Sequence, residues 1–338
     1  MEALQLLKKK AELIISGKIV LEKGVIPNFP LSHSTAGPGA GTTGIVLGFG
    51  DTRVKLEASR NSDASEFHLV PSEEKGLYSI LKNGSLFIDG VKLIPTIMHA
   101  PEQAFINLDA RCRFGCLFCA SHHLKNYNPI SPERWVEHIR KAAMEKNLKA
   151  IAITSGIPGS VEDNIQDFIR VIERIKDLGI PIGVEPYVET EEQIVRLKRA
   201  GADEIKLNIQ SFDREIFKVI SPGLNYEHIL RMLKKAVEVF GKNRVTSNII
   251  IGFGESDENV IDGVEYLAKM GVAAIIRTLH LNPLNRSVLE KVVDIQPITT
   301  ERLIKLREAQ ARIFQKYGID TQQFRTMCFV CKGCDLEV

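Results

Sequence analysis

The chain has 338 residues, 44% hydrophobic and 25% charged, the profile of an ordinary globular protein with a sizeable core. Forty-four Lys and Arg against 42 Asp and Glu leave a formal charge of +2, too balanced to point to a nucleic-acid or membrane-surface partner. No apolar run approaches the ~18 residues of a membrane span, and the opening MEALQLLKKKAELIISGKIV reads as an amphipathic helix and not a signal peptide, so the expected location is the cytoplasm.

Residues 1–100 predict that N-terminal helix followed by a small antiparallel β appendage. GIVLGFG (44–50) and RVKLEA (53–58) read as strands, and Asn83-Gly84 and Asp89-Gly90 as hairpin turns. SHSTAGPGAGTTG (32–44) could cradle an anion or shield a cavity mouth; it lacks the Lys of a phosphate-binding loop, so an ordered loop is the plainer reading. From residue 104 the pattern alternates. AFINLDA (104–110), KAIAITSG (149–156), IPIGVEP (180–186), DEIKLNIQ (203–210), RVTSNIII (244–251) and AAIIRTLHL (273–281) are short β-branched runs, each trailed by an amphipathic helical stretch. The helix opening at Ser131-Pro132-Glu133 has its Pro at a favoured early position, and several others stop on Gly, as at Gly179, Gly201, Gly271 and Gly318. Six βα units predict parallel strands with right-handed crossovers in an α/β, partial (β/α)6 barrel over residues 101–298, with a helix and cysteine tail over 299–338. Ligands in such folds sit at the carboxyl ends of the strands.

All six cysteines lie in two triplets. Cys112, Cys116 and Cys119 form C-x3-C-x2-C directly after the first barrel strand; Cys328, Cys331 and Cys334 form C-x2-C-x2-C in the tail. Cysteines so close in sequence are poorly placed to bridge one another, and grouped thiols point to a soft metal. A structural zinc wants four ligands; three thiolates on one loop suit a [4Fe–4S] cluster with one iron left open. The alternative for the first triplet is a Cys3His zinc using His122 or His123. The second triplet fits a second cluster, a zinc with a fourth ligand from elsewhere, or an electron-relay centre.

The C-x3-C-x2-C motif, with the aromatic Phe118 before its last Cys and its place after the first strand of a βα series, resembles the radical SAM superfamily over roughly residues 100–290. The resemblance implies a [4Fe–4S] cluster on Cys112, Cys116 and Cys119. S-adenosylmethionine would chelate the open iron and be cleaved to a 5′-deoxyadenosyl radical, in a barrel that orients it and excludes water. It further implies that Phe118 packs by the adenine, that Ser155 and Gly156 (in place of the usual Gly-Gly-Glu) lie by the methionine amino group, and that Glu185 and Asn208 hold methionyl or ribose polar groups. Asn248, in NIIIGFGES, stands where Gly is commoner, and Leu281-Asn282-Pro283 resembles the L-x-P segment of the biotin synthase branch. For Glu185 and Asn208 the plain alternative is a locally paired polar residue at the barrel rim.

The tail suggests an auxiliary Fe–S cluster, a second [4Fe–4S] centre, which sulfur-inserting members of the superfamily use as sulfur donor. The barrel strands carry no cysteine, unlike biotin synthase, and no N-terminal auxiliary cysteine motif is present, unlike the usual lipoyl synthase. The pattern looks most like a subunit of the two-component lipoyl synthases. That resemblance implies an octanoylated lipoyl carrier protein as substrate, a sister radical SAM subunit as a candidate partner, and a ferredoxin- or flavodoxin-type reductant; from the balanced charge and the hydropathy no nucleic-acid or membrane partner is expected. Arg286, Ser287, Ser32, His33 and Ser34 are candidates for a fourth ligand of the auxiliary cluster, and Lys332 reads as a solvated charge. The alternatives are a radical SAM enzyme of another type (biotin synthase-like, a methylornithine synthase-like mutase, or a methylase) whose tail cluster relays electrons, anchors substrate or is structural, and a non-catalytic Fe–S or zinc scaffold.

Overall fold

A computed structural model describes residues 3–34, 41–123, 128–145 and 147–336. The N-terminal part comprises α1 (Ala3–Ser16), β1 (Lys18–Leu21), β2 (Ser32–His33), β3 (Thr43–Phe49), β4 (Thr52–Ser59), β5 (Phe67–Pro71), β6 (Tyr78–Lys82) and β7 (Ser85–Ile94). Its strands form one sheet in the order β2-β3-β4-β1-β5-β6-β7, with β3 also pairing β7. Most pairings are antiparallel, as the turn signals predict, but β1 lies parallel between β4 and β5. That arrangement follows from connectivity, because β1 enters directly from α1 and not through a hairpin. Asn83-Gly84 makes its hairpin, with both residues at positive φ. Asp89-Gly90 does not: Ser85–Ile94 is a single strand, paired with β6 along its first half and with β3 (Val46↔Ile94) along its second. Gly90, at φ +69°, takes up the bend between the two partners. Of the Gly-rich stretch, residues 35–40 lie outside the described residues; the flanking Ser32 and Gly44 pair across β2 and β3.

The second sheet runs in the order β14-β13-β12-β11-β10-β9-β8. It is built from β8 (Met98–Ala100), β9 (Gln103–Asn107), β10 (Ala150–Thr154), β11 (Ile182–Glu185), β12 (Glu204–Lys206), β13 (Val245–Ile251) and β14 (Ala273–Thr278). The strands from β9 to β14 are parallel, and β8 is an antiparallel edge. Between them run α2 (Pro132–Glu145), α3 (Val161–Glu173), α4 (Glu191–Ala200), α5 (Arg214–Ile220), α6 (Tyr226–Phe240) and α7 (Asp257–Met270); α8 (Arg286–Leu289), α9 (Thr300–Tyr317) and α10 (Met327–Cys331) follow β14. This is a partial α/β barrel. The strands read as continuous apolar runs because both faces are covered: all five residues of β10 are buried. The helices begin on side-chain caps at Ser160, Thr190, Asn225 and Ser256 and end on Gly201, Gly271 and Gly318. DEIKLNIQ pairs for only three residues before the backbone leaves the ladder, returning at Gln210 to bridge Ile249.

The barrel is open between β8 and β14, and β4 of the N-terminal sheet spans the gap. Lys55 and Glu57, two apart on one face of β4, reach opposite edges: Lys55 Nζ donates to the His99 carbonyl (2.9 Å) beside β8, and Glu57 Oε2 lies 3.7 Å from His280 Nε2 beyond β14. Unpaired sheet edges are thus covered by a third element. Among the described residues no helix is long and apolar enough to cross a membrane.

Candidate active site

The loop after β9 carries the first triplet and is stitched to two neighbouring loops. Arg113 N donates to Ile157 O beyond β10 (2.9 Å), Leu117 N donates to Ile220 O at the end of α5 (2.8 Å), and Cys119 N closes a turn on Cys116 O (3.0 Å). Two close approaches fix its start. Gly156 N donates to Asp109 O (2.6 Å), and a Cβ on Gly156 would stand 2.2 Å from the Arg111 carbonyl oxygen, so only glycine fits. Arg111 and Asp109 pair at 2.6 Å. Phe118 is buried with Ile220, Ile250, Phe253 and Leu289, and Leu281 packs against this same apolar group. The Cys116 thiol is pushed up to about 12, first by burial and then by Cys119 and Cys112, with Ser221 pulling the other way. Among the described residues, no cation is one of the influences on it. All six cysteines are free and half-buried.

Beneath this loop runs a polar chain. Asn208 Nδ2 donates to Glu185 Oε1 (2.6 Å), and Asn248 N donates to Asn208 Oδ1 (3.0 Å). Asn248 Oδ1, shielded from solvent, has no hydrogen-bond partner in the protein, leaving an acceptor on the cavity wall for a ligand donor. Ser155 Oγ donates to Gly156 O (2.8 Å) and accepts from Asn164 Nδ2 (2.8 Å). Lys206 Nζ, its side chain 4% exposed, lies 3.5 Å from Glu185 Oε1.

The same lysine reaches the tail: its Nζ is 3.4 Å from Cys328 Sγ. The segment leading into the tail, residues 325–327, rests on Gln103 and Glu204, the first residues of β9 and β12. The tail therefore forms the floor of the barrel, with its cysteines reaching up to Lys206 at the end of β12. It is seated by buried groups. Glu204 accepts from Arg325 N (2.7 Å), Thr326 N (3.0 Å) and Thr326 Oγ1 (2.6 Å), and Gln103 Oε1 accepts from Met327 N (2.6 Å). A Cβ on Gly183 would lie 2.2 Å from Thr326 Oγ1, so β11 carries glycine where the tail crosses it. From the other side Lys10 Nζ donates to Lys332 O (3.0 Å), and Lys55 N donates to Gly333 O (2.6 Å). Arg277 on β14 faces Cys334, Cys328 and Asp335. Burial would lower its pKa, but these anions outweigh burial and the guanidinium is held charged. Burial lowers Lys55, with Cys334 and Cys331 opposing, and burial, Lys55 and Arg277 together hold His99 down to about 3, a neutral imidazole. The Cys331 thiol is pushed up to about 12 by burial and its sister thiols.

Both triplets line one cavity of about 470 Å³, together with Phe118, Ser155, Gly156, Glu185, Asn208 and Asn248. Leu281 is not among its lining residues and serves the apolar packing around Phe118. Two fourth-ligand candidates are excluded by position. Arg286 and Ser287 are exposed on α8, beyond the carboxyl end of β14, with Arg286 paired to Glu290 at 3.2 Å; the tail is at the other end. Ser32 donates to Gly44 O and His33 is exposed, while Ser34 borders the cavity. Lys332 is exposed. For the zinc alternative, His123 is exposed and the His122 side chain lies outside the described residues. Among the described residues, no three His, Cys, Asp or Glu side chains converge on a point that would hold a single ion. A cubane asks for a different arrangement, three thiols each on its own iron around a wider space, and a loop whose three thiols border an open cavity fits that group.

Sequence reasoning missed Lys55, His99, Gln103, Glu204, Lys206 and Arg277. The signal available was a charge in an apolar strand run, such as Lys206 in DEIKLNIQ and Arg277 in AAIIRTLHL; nothing local distinguishes such a residue from a rim charge.

Residues 106–267 match the family model described as the radical SAM superfamily. The chain is 28% identical over 257 residues to a lipoyl synthase of Picrophilus torridus, covering 71% of this chain and 85% of that one. It is 26% identical over 229 residues to a probable GTP 3',8-cyclase of Methanococcus aeolicus, covering 64% and 72%. Among solved structures, the FeFe-hydrogenase maturase HydG from Carboxydothermus hydrogenoformans superposes with a TM-score of 0.51 at 19% identity, over 64% of this chain and about half (52%) of that one, a likeness of fold.

Proposed function

This chain is a radical SAM enzyme, and on that premise we propose that it inserts sulfur into a protein-bound octanoyl chain, as a component of a lipoyl synthase. The observation that carries this reading is that both cysteine triplets line one cavity. Cys112, Cys116 and Cys119 would hold the cluster that binds S-adenosylmethionine, and Cys328, Cys331 and Cys334 an auxiliary cluster. When bound, the first group supplies reductive cleavage of the sulfonium and the second supplies sulfide. The protein's own part is positioning. Asn248 Oδ1 and the Glu185–Asn208 pair offer polar anchors on the wall, and Phe118 an apolar face. Leu56, Phe105, Leu207 and Met232 line the space between with apolar surface suited to an aliphatic chain. A volume of 470 Å³ lies within the roughly 300–1,000 Å³ of small-ligand cavities. The carrier protein, a sister subunit and a ferredoxin- or flavodoxin-type reductant complete the proposal.

The test is anaerobic incubation of protein reconstituted with isotopically labelled sulfide, S-adenosylmethionine and an octanoylated carrier peptide, with and without candidate sister subunits. The expected result is a mass gain of labelled sulfur on the peptide and loss of sulfide from the protein. Deoxyadenosine formation with no sulfur transfer under either condition overturns it. A second reading is favoured by the three cations at the floor, Lys55, Lys206 and Arg277: the tail group anchors an anionic substrate. It predicts that protein-bound sulfide survives turnover intact.

A further inference from the structure

The two triplets share a cavity but not an electrostatic setting. Around the first, the neighbours are Leu117, Phe118, Ile220, Ile250 and Phe253, and the nearby arginines are already committed, Arg111 to Asp109 and Arg113 to Glu189. Around the second, three cations converge from three different elements. Lys206 on β12 lies 3.4 Å from Cys328 Sγ, Arg277 on β14 lines the same cavity wall as Cys334 and Cys328, and Lys55 on β4 faces Cys331 and Cys334 while its Nζ donates to His99 Nδ1 at 2.9 Å. Two carboxylates stand against them, Glu185 beside Lys206 and Asp335 beside Arg277, so one positive charge is in excess before any thiolate is counted. His99 adds none, being neutral. The cations come from elements far apart in sequence; Lys206 is buried, and Lys55 and Arg277 are half-buried on the cavity wall.

We propose that Lys55, Lys206 and Arg277 form a cationic seat for an Fe–S cluster on the tail triplet, holding its reduction potential above that of the first cluster. This rests on the reading of Cys328, Cys331 and Cys334 as cluster ligands. A cluster's potential is set by its net charge, by hydrogen bonds to its sulfurs and by solvent exposure. Buried positive charge stabilises the more negative, reduced form, and the low dielectric of a protein interior strengthens the effect. Donation from Lys206 Nζ to Cys328 Sγ acts in the same direction. The converging cations are present at the tail and lacking from the contacts described at the first triplet, where the donor to a cysteine sulfur is the neutral Ser121 N, 3.5 Å from Cys119 Sγ. An electron shared between the two ends of the cavity therefore settles at the floor. The three residues are positioning and tuning groups and do not ligate iron.

The test uses full-length chain with Cys112, Cys116 and Cys119 all changed to Ala, so that reconstituted iron reports the tail alone, and follows reduction by electron paramagnetic resonance during a potential titration. Lys206→Met and Arg277→Met should each move the tail potential to more negative values, and the double variant further. Lys206→Arg and Arg277→Lys, which keep the charge, should stay near the parent. Loss of the cluster in the Met variants with retention in the charge-keeping ones also supports the seat. A full complement of iron with potentials alike across the series overturns this inference and leaves the cluster reading standing, as does loss of iron in the charge-keeping and neutral variants alike. A parent that binds no iron on its tail overturns both.

Discussion

At the scale of single residues, the most constrained position is Gly156. Its missing Cβ leaves room for the Arg111 carbonyl, one residue before Cys112, and a carbonyl held in a loop cannot turn aside as a side-chain tip can. Gly156→Ala should cost about 2–3 kcal/mol by overpacking and displace the first cysteine loop. The expected outcome is a lowered melting temperature, with iron lost from the first triplet and retained on the tail, read by iron analysis in backgrounds carrying one triplet at a time. The two triplets should also separate by function. Cys116→Ala removes a thiolate from the sulfonium-binding cluster and should abolish deoxyadenosine formation. Cys331→Ala should leave that formation measurable and stop thiolated product, as chromatography of both products will show.

At the scale of elements, two joints carry distinct predictions. Glu162, in the first turn of α3, accepts from both terminal nitrogens of Arg196 (2.8 and 3.1 Å) and from Gln193 Nε2 (3.1 Å) on α4, and from Gln166 Nε2 (2.9 Å) on its own helix. Arg196 first, then Gln193 and Gln166, hold its carboxyl down to about 2. A depressed carboxylate contributes stability above its unfolded value of 4.5, and that contribution is lost as the pH falls from 4.5 towards 2. Because the group is half-exposed, solvent limits the contribution to about 1 kcal/mol or less. Glu162→Gln should therefore melt lower at neutral pH and lose part of the acid dependence in that window, as melting curves taken between pH 6 and 3 will show. The other joint is Glu204, whose carboxylate takes three donors from the Arg325-Thr326 segment. Glu204→Ala strands those donors, at about 2–3 kcal/mol, and should release the tail. Iron on the second triplet falls while deoxyadenosine formation persists. An unchanged iron content would show that the seat does not depend on this carboxylate.

At the scale of the whole molecule, the barrel was legible in the sequence and the role of the first hundred residues was not. The βα alternation is a local signal, since β-branched runs such as AIAIT and capped helices such as that beginning at Ser160 declare themselves within a dozen residues. The Cys112–Cys119 spacing is equally local. What joins the parts is not. Lys10, 0% exposed, donates to Thr52 Oγ1 and to the carbonyl of Lys332, more than 300 residues away in the chain, and in sequence it is one of three consecutive lysines on an amphipathic helix. Lys206 and Arg277 likewise acquire meaning only when the tail folds beneath them. Position also corrects the reading of Arg286 and Ser287, plausible ligands by type but at the opposite mouth. Lys10→Met should leave the Lys332 carbonyl unpaired, costing about 1–3 kcal/mol. Hydrogen exchange should then quicken in residues 328–334 while the barrel strands stay protected; equal quickening in both would mean that the helix stabilises the fold as a whole.

That the barrel's base is a separate segment, pinned by Glu204, Gln103 and Lys10 and not woven into the strand ladder, bears on upkeep. If each catalytic cycle dismantles the inorganic core held there, loosening these few contacts would free the damaged part for rebuilding while the strand ladder above it stays closed.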